Sequence, residues 1–494
     1  MGVFLGYTMM VVLWLASFIM VNHLCVVYSS PDKWLVRGYA HDHHSLIRKL
    51  QEYKSYFFQR QRVSLASSLS PSPSPSSPAR SSSGMILVTT YGADPTGKTD
   101  STDAILEAIS DAVSIDTDEY LMQGISNVGG VQINLEGGIY KISRHIKLPE
   151  AGLGNIVIFG GTLKASDNFS TDSYMIDLSS SSNRDYSYEF VTLRDLMLDC
   201  NFRGGGIRAS KTLRTSIDNC YIAHFGTTGI LVQGGHETYI RNSFLGQNIT
   251  AGADPGERNF TGTGIDLQGN DNAVTDVVIF SAAVGIMISG QANMITGVHC
   301  YNKAYGFGGT GIYLKVPGIT QTRIVNSYFD FTGIVAEDPV QLHVSDCFFL
   351  GDAFIVLKSL RGVVDGINIV NNMFSGSNKG IDIVQLDQTS KEFNEIGDQV
   401  VIDQNSANGM NMKATAAKVV TQVNGTSWTI DFNKILLFPR RIKFAQHTLM
   451  TNTSNSFPNT ILRNISNNQV MIESDTMVIG SALVSVDQGF TMLG

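Results

Sequence analysis

From about residue 84 onward, apolar residues come in short clusters separated by glycine and asparagine, and one pair keeps returning. Gly-Ile occurs at Gly206-Ile207, Gly229-Ile230, Gly264-Ile265, Gly285-Ile286, Gly311-Ile312, Gly333-Ile334 and Gly380-Ile381, with Phe354-Ile355 filling one slot. Successive isoleucines are 23, 35, 21, 26, 22, 21 and 26 residues apart. Gly318-Ile319 and Gly366-Ile367 fall out of this phase. A second element runs in step: an apolar residue, any residue, Asn, Asp or Gly, any residue, then an aromatic or apolar one. It appears at Ile217 to Tyr221, Ile240 to Phe244, Ile324 to Tyr328, Val344 to Phe348 and Ile369 to Met373, and Val274-Thr275-Asp276 begins it. Each repeat therefore holds two or three short strands joined by tight turns, with no room for a crossover helix. Such a repeat is one rung of a right-handed parallel β-helix. Rungs stack about 4.8 Å apart, and isoleucine stacks on isoleucine inside. The expected fold class is all-β.

The one long step lies between Ile230 and Ile265 and implies an insertion of about 12 residues within Gly246 to Gly262. Insertions in a solenoid form loops on one face, often the binding face. After residue 415 the Gly-Ile phase is lost, although runs such as Gln469 to Ile472 and Ala482 to Val486 still read as strands. We expect residues 416–494 to form a C-terminal β element that covers the open end of the solenoid.

The N-terminal part is different in kind. Val3 to Tyr28 is almost wholly apolar and reads as an export signal, cleaved near Ser29, or as a single membrane anchor. His41 to Arg62 has helical spacing, with Leu46, Ile47, Leu50, Tyr53, Phe57 and Phe58 near one face, and His41, His43 and His44 at its polar start. Ser64 to Ser83 is rich in serine and proline and makes an extended linker. The chain thus divides into residues 1–30 (signal or anchor), 31–83 (basic helix and linker), 84–415 (β-helix) and 416–494 (C-terminal element).

Composition sharpens this. Lys and Arg number 35 against 43 Asp and Glu, a net charge of −8; glycine is high at 48 and proline low at 12. Low proline suits strands that must keep their ladders. The charge is segregated: residues 1–30 carry none, residues 31–83 carry 8 − 3 = +5, and residues 84–494 carry 27 − 40 = −13. So acidic a body is unsuited to nucleic acid, whose binding needs many phosphate-neutralising cations. Six Asn-X-Ser/Thr sequons, at Asn168, Asn248, Asn259, Asn424, Asn452 and Asn464, agree with a secreted glycoprotein. Cys25 lies in the apolar segment; Cys200, Cys220, Cys300 and Cys347 allow three disulfide pairings or four buried thiols, and their spacing matches no zinc site.

Two N-terminal stretches are more specific. Tyr91-Gly92-Ala93-Asp94-Pro95-Thr96-Gly97-Lys98-Thr99-Asp100 and the helix expected at about Ser101 to Val113 resemble the opening of pectin-lyase-like β-helix enzymes. Gly129-Gly130-Val131-Gln132-Ile133, with Gly138-Ile139-Tyr140 and Ile146 to Pro149, resembles their first rung. The body, about residues 84 to 490, resembles the QUARTET 3-type polygalacturonases of plants, a divergent branch near glycoside hydrolase family 28. That resemblance implies hydrolysis of pectin without a cofactor, in the cell wall, by a monomeric secreted enzyme. Standard polygalacturonases carry Asn-Thr-Asp, Asp-Asp, Gly-His-Gly and Arg-Ile-Lys on four successive rungs. Here those stations read Gly262-Thr263-Gly264, Ala283-Val284-Gly285, Gly309-Thr310-Gly311 and Thr332-Gly333-Ile334. Arg441-Ile442-Lys443 lies outside the rungs. The usual catalytic set does not carry over.

A candidate site must instead be built from strand parity, since side chains alternate across a strand. With Ile265 and Leu267 inward, one outer column holds Arg208, Leu231, Asp266, Met287 and Tyr313, and a second holds Gln233, Gln268, Ser289, Lys315 and Glu337. Such a face suits a sugar polymer, with Gln268 and a stacking Tyr313 as contacts and Arg208 or Lys315 for uronate carboxylates. Past the strands, aligned turns bring His236 and Glu237 beside Asp271 and Asn272. Glycoside hydrolysis needs a protonated carboxyl and a second carboxylate, roughly 6.5–9.5 Å away when configuration inverts. Asp266 and Asp271 are the candidate pair, with Glu237 in reserve, His236 tuning a proton, and Asp254 and Glu257 of the insertion as further carboxylates. No metal site is read. Two alternatives stay open: a lyase, needing a calcium-binding carboxylate cluster and a cationic base, and a non-catalytic pectin-binding wall protein.

Overall fold

The computed structural model describes residues 84–494 except 115–117, 183, 249–259, 302–308, 316–317, 398, 452–456 and 490–494. The expected export segment, the basic stem, and the sequons at Asn259 and Asn452 lie outside the described residues. Among the described residues no helix is long and apolar enough to cross a membrane.

The body is a parallel β-helix with three walls. The first wall is a ten-stranded parallel sheet built on the Gly-Ile phase, from Ile146–Lys147 through Thr228–Gln233 and Thr263–Leu267 to Val384–Asp387. The second wall holds strands such as Ser216–Asp218 and Tyr239–Arg241, and the third holds strands such as Tyr221–Ala223 and Phe244–Gly246. Register confirms the stacking: Ile176, Ile207, Ile230, Ile265, Ile286, Ile312, Ile334 and Ile355 align rung on rung. These isoleucines are buried in one continuous core. The last step differs from the sequence phase. Ile355 pairs with Val384 rather than Ile381, and Asp382 forms an isolated bridge to Asn411 before the strand starts.

The glycine of the Gly-Ile pairs from Gly206 to Gly333 answers to a close approach between rungs. A Cβ on Gly229 would lie 2.6 Å from the carbonyl oxygen of Gly264, and one on Gly285 would lie 2.5 Å from that of Gly311. No side chain fits there. The Asn/Asp/Gly position has another cause. Asn219, Asn242, Asp276, Asn326, Asp346 and Asn371 all have φ between 50° and 58°, and Gly297 takes the same place at 63°. These single left-handed residues turn the chain from second wall to third, a conformation that Asn, Asp and Gly tolerate best. Inside, Phe329, Phe349 and Phe374 stack at centroid distances of 4.9 and 4.4 Å.

Both ends are closed. Thr102–Val113 forms the expected helix, and Ile105, Ala108, Ile109 and Ala112 join the solenoid core. Asp94 of the preceding turn accepts hydrogen bonds from the Thr96 hydroxyl and from the backbone N–H groups of Thr99 and Thr96, which hold its carboxyl far below the usual range. At the other end, Ala416–Asp431, Phe444–Met450, Thr460–Ser466 and Gln469–Asp487 make a four-stranded antiparallel sheet with its own core. Phe438 reaches from it into the solenoid core, edge-on to Phe393 at 6.5 Å. Arg441 of the displaced Arg-Ile-Lys run donates to the carbonyl of Ile396, so its place is at this junction. Cys200, Cys220, Cys300 and Cys347 are free and buried; burial pushes the thiols up, those of Cys220 and Cys347 to about 12.

Candidate active site

The outer face of the first wall has the two columns that parity predicts. Arg208, Leu231, Asp266, Met287 and Tyr313 are successive register partners. Asp266 is thus set between Leu231 and Met287 on the neighbouring rungs. Its Oδ1 is buried without a hydrogen-bond partner among the described residues, and its Oδ2 accepts from Gln268 Nε2 at 2.9 Å. Burial pushes the Asp266 pKa up, while Gln268 and the Lys315 ammonium pull against that. Apolar flanks disfavour the charged form of a carboxyl, and a hydrogen bond to the charged form favours it. Gln233 Nε2 donates to Gln268 Oε1 at 3.0 Å, so a short amide chain ends on Asp266.

Beyond the strand ends the chain turns, and His236 aligns with Asn270 rather than with Asp271. Glu237 and Asp271, the next residues, both take left-handed backbone conformations with φ of 54° and 58°. His236 Nδ1 nevertheless meets Asp271 Oδ2 at 2.9 Å, with the Tyr186 ring edge-on to the imidazole at 6.1 Å. Both groups are accessible. Glu237, expected as a reserve carboxylate, is bound instead to Arg214 Nε at 2.9 Å, and Arg214 also holds the buried Glu189. Asn272 is buried; it accepts from Thr238 N–H at 2.9 Å and donates to Asn293 Oδ1 at 3.0 Å, a ladder that fixes this corner.

The remaining expected contacts are also placed. Arg208 Nε donates to Asp177 Oδ1 at 2.8 Å, and Nη2 reaches Asp177 Oδ2 and Ser179. The guanidinium therefore already has a carboxylate. The Tyr313 hydroxyl donates to Glu337 Oε1 at 2.6 Å and accepts from Lys358 Nζ at 3.0 Å. The ammonium groups of Lys315 and Lys358 each lie 5.7 Å from the Tyr313 ring centroid, so the ring sits beside two cations. Lys315 itself is exposed and makes no ion pair among the described residues.

Asp177 and Lys358 were missed in the sequence, although a signal existed. Asp177 follows Ile176 by one, as Arg208 follows Ile207; Lys358 follows Ile355 by three, as Lys315 follows Ile312. The rung at Ile176 lacks the glycine and so hid its phase.

Rung counting constrains the chemistry. Asp177 lies three rungs before Asp266, and Glu337 three rungs after it. Each is about 14 Å away at one rung per ~4.8 Å, too far for the roughly 6.5–9.5 Å of an inverting pair. A carboxylate working with Asp266 must come from elsewhere: Asp271 follows on the turn after the same strand, and Asp254 and Glu257 of the insertion lie outside the described residues. Gln247 staples the root of that insertion, its Oε1 accepting from Thr261 N–H at 3.1 Å and Gly262 N–H at 3.2 Å. Among the described residues, no three His, Cys, Asp or Glu side chains are grouped to hold a metal ion.

No protein-family model matches the chain. Among solved structures, endo-xylogalacturonan hydrolase from Aspergillus tubingensis is 14% identical with a TM-score of 0.48, over 67% of this chain and 95% of that one. The Dettilon tailspike protein is 12% identical with a TM-score of 0.49, over 82% and 94%. In sequence, the chain is 55% identical over 467 residues to Polygalacturonase QRT3 of Arabidopsis thaliana, spanning 94% of this chain and 95% of that one. With more than half of its residues shared along nearly the whole of both chains, the protein belongs to the polygalacturonase family that includes QRT3.

Proposed function

We propose that the protein is a secreted glycoside hydrolase that cleaves α-1,4-galacturonosyl links of pectin in the cell wall. Residues 1–30 would direct export and residues 31–83 would form a stem. The observation that carries the catalytic reading is the state of Asp266: a carboxyl between Leu231 and Met287, raised in pKa by burial, with one oxygen unpartnered among the described residues, on an outer face with the Lys315 ammonium acting on it. Burial favours the protonated form of a carboxyl so placed, the form a general acid needs. Asp266 gives that proton to the glycosidic oxygen as the bond to the anomeric carbon breaks. Asp271, steadied by His236, takes a proton from the water that attacks that carbon, and the product leaves with a new reducing end. Gln233 and Gln268 position Asp266, and Lys315 receives a uronate carboxylate. The name of the relative, a polygalacturonase, supports the substrate class.

A second reading, a non-catalytic pectin-binding protein, is favoured by one observation: the four stations that carry acids, histidine and lysine in standard polygalacturonases are Gly-Thr-Gly, Ala-Val-Gly, Gly-Thr-Gly and Thr-Gly-Ile here. Release of reducing ends from polygalacturonate by the purified full chain separates the two. The hydrolase reading expects release, and a loss of 100-fold or more in Asp266→Asn and in Asp271→Asn, the order seen when an acid or base is removed. No release by the native chain supports binding alone; full activity in both variants would overturn the assignment of the residues.

A further inference from the structure

The antiparallel sheet at the C-terminal end has one face in its own core and one face open. Antiparallel partners directly opposite one another point the same way, so register defines the open face: Val420 opposite Leu483, Gln422 opposite Ser481, Asn424 opposite Ile479, and Met450 opposite Ser481 from the other side. The apolar members are well exposed, Val420 at 59%, Ile479 at 52%, Met450 at 50% and Leu483 at 37%. Among the described residues, the strand Ala416–Asp431 pairs only with Gln469–Asp487, so its other edge is open along 16 residues. It holds no proline and, besides Asp431 at its end, only Lys418 as a charge. An open, weakly charged edge beside an exposed apolar face is a template for pairing with another chain.

Asn424 stands in the middle of both features. Val423 before it is buried, so the Asn424 side chain points out, on the open face, beside Ile479. It begins the sequon Asn424-Gly425-Thr426. The strand is bulged at that point: register shifts between Gly425 and Ser427, and Gly425 has φ of 124°, a value a side-chain-bearing residue rarely adopts. The asparagine is thus the last but one residue in register before the bulge, with its side chain on the exposed face.

We propose that Asn424 carries an N-linked glycan whose first sugars lie over Ile479 and Val420 and block the open edge, keeping the sheet from pairing with a second copy. The occupant is the chain's own glycan: the apolar side chains take the carbon faces of the pyranose rings, and Gln422, Ser481 and Lys418 around them take hydroxyls. This rests on the secretory route proposed above. The test is made on the full chain expressed through a eukaryotic secretory pathway. Peptide mass spectrometry should find Asn424 carrying hexose and N-acetylhexosamine. Light scattering over a concentration series should show native protein of constant mass, and Asn424→Gln and Thr426→Ala at least doubling their apparent mass. Thr426→Ser, which keeps the sequon, should behave as native. An unmodified Asn424 in protein glycosylated at Asn168 or Asn464 would overturn this proposal alone, as would variants that stay at the native mass. Absence of glycan from all six sequons would overturn the secretory reading together with it, and glycan at any other sequon with Asn424 bare overturns this proposal alone.

Discussion

Gln268 Nε2 donates to Asp266 Oδ2 at 2.9 Å, and this one hydrogen bond works against the burial that raises the carboxyl's pKa. The balance predicts how the pH profile of hydrolysis responds to substitution. An acid must be protonated, so activity falls as pH rises through the Asp266 pKa. Gln268→Leu removes a bond that favours the charged form, and Lys315→Met removes a cation that does the same. Both should move the alkaline limb of kcat to higher pH. Only Lys315→Met should also raise KM on polygalacturonate, since it alone loses a partner for the substrate carboxylate. A limb that stays in place in both variants would remove Asp266 from the acid role.

The pairing of Arg208 with Asp177 predicts a stability effect where the sequence suggested a substrate contact. Asp177 is buried, and Arg208 is its principal cation. Arg208→Met would strand that carboxylate, at a cost of about 2–4 kcal/mol, below the top of the range for breaking a buried pair because Arg208 is partly exposed. Asp177→Asn combined with Arg208→Met should recover most of the loss. Urea unfolding of the two single variants and the double one gives the coupling directly. If Arg208 instead serves substrate, Arg208→Met will leave unfolding unchanged and raise KM.

The solenoid was legible in the sequence because its constraints are local and repeat. Gly229 is required by the Gly264 carbonyl, and Asn219 by a left-handed turn, so each rung prints the same two signals. Parity then gave the outer columns correctly, since a strand of five residues has only one inward phase once its isoleucine is fixed. Pairing among the outward side chains was not legible. Whether Arg208 faces solvent or Asp177, and whether Glu237 is free or tied to Arg214, depends on rungs whose own phase is weak, such as the one at Ile176. The Ile381 slot failed for a related reason: no glycine contact across rungs marks where the strand at Val384 begins.

The column of left-handed residues makes a sharp prediction at Asn326, which has φ of 50°. Asn326→Gly should be nearly neutral, because glycine reaches this region freely. Asn326→Val should destabilise by about 1–2 kcal/mol, the cost of forcing a residue with a Cβ branch into that conformation. Both changes leave the core untouched, so a thermal melt that lowers Tm for Val but not for Gly isolates the backbone effect. Equal losses in the two variants would place the role of Asn326 in its side-chain contacts instead.

Asp330 supplies the last prediction, on stability against pH. It ends a third-wall strand with Tyr301 and Leu350 as its register partners, and burial pushes its carboxyl up to about 6 from an ordinary 3.8. The native state therefore holds this proton more tightly than the unfolded chain does. By linkage, the favourable contribution of protonated Asp330 is intact below about pH 4 and is lost as pH rises through about 6. A rise of about 2 pKa units corresponds to about 3 kcal/mol. Asp330→Asn keeps the shape and removes the charge. It should match native stability near pH 4 and exceed it by up to about 3 kcal/mol at pH 7.5, measured by urea unfolding at the two values. A gain that is the same at both would mean that ionisation of Asp330 is not its source; a loss at pH 7.5 would mean that the charged carboxylate has a native partner.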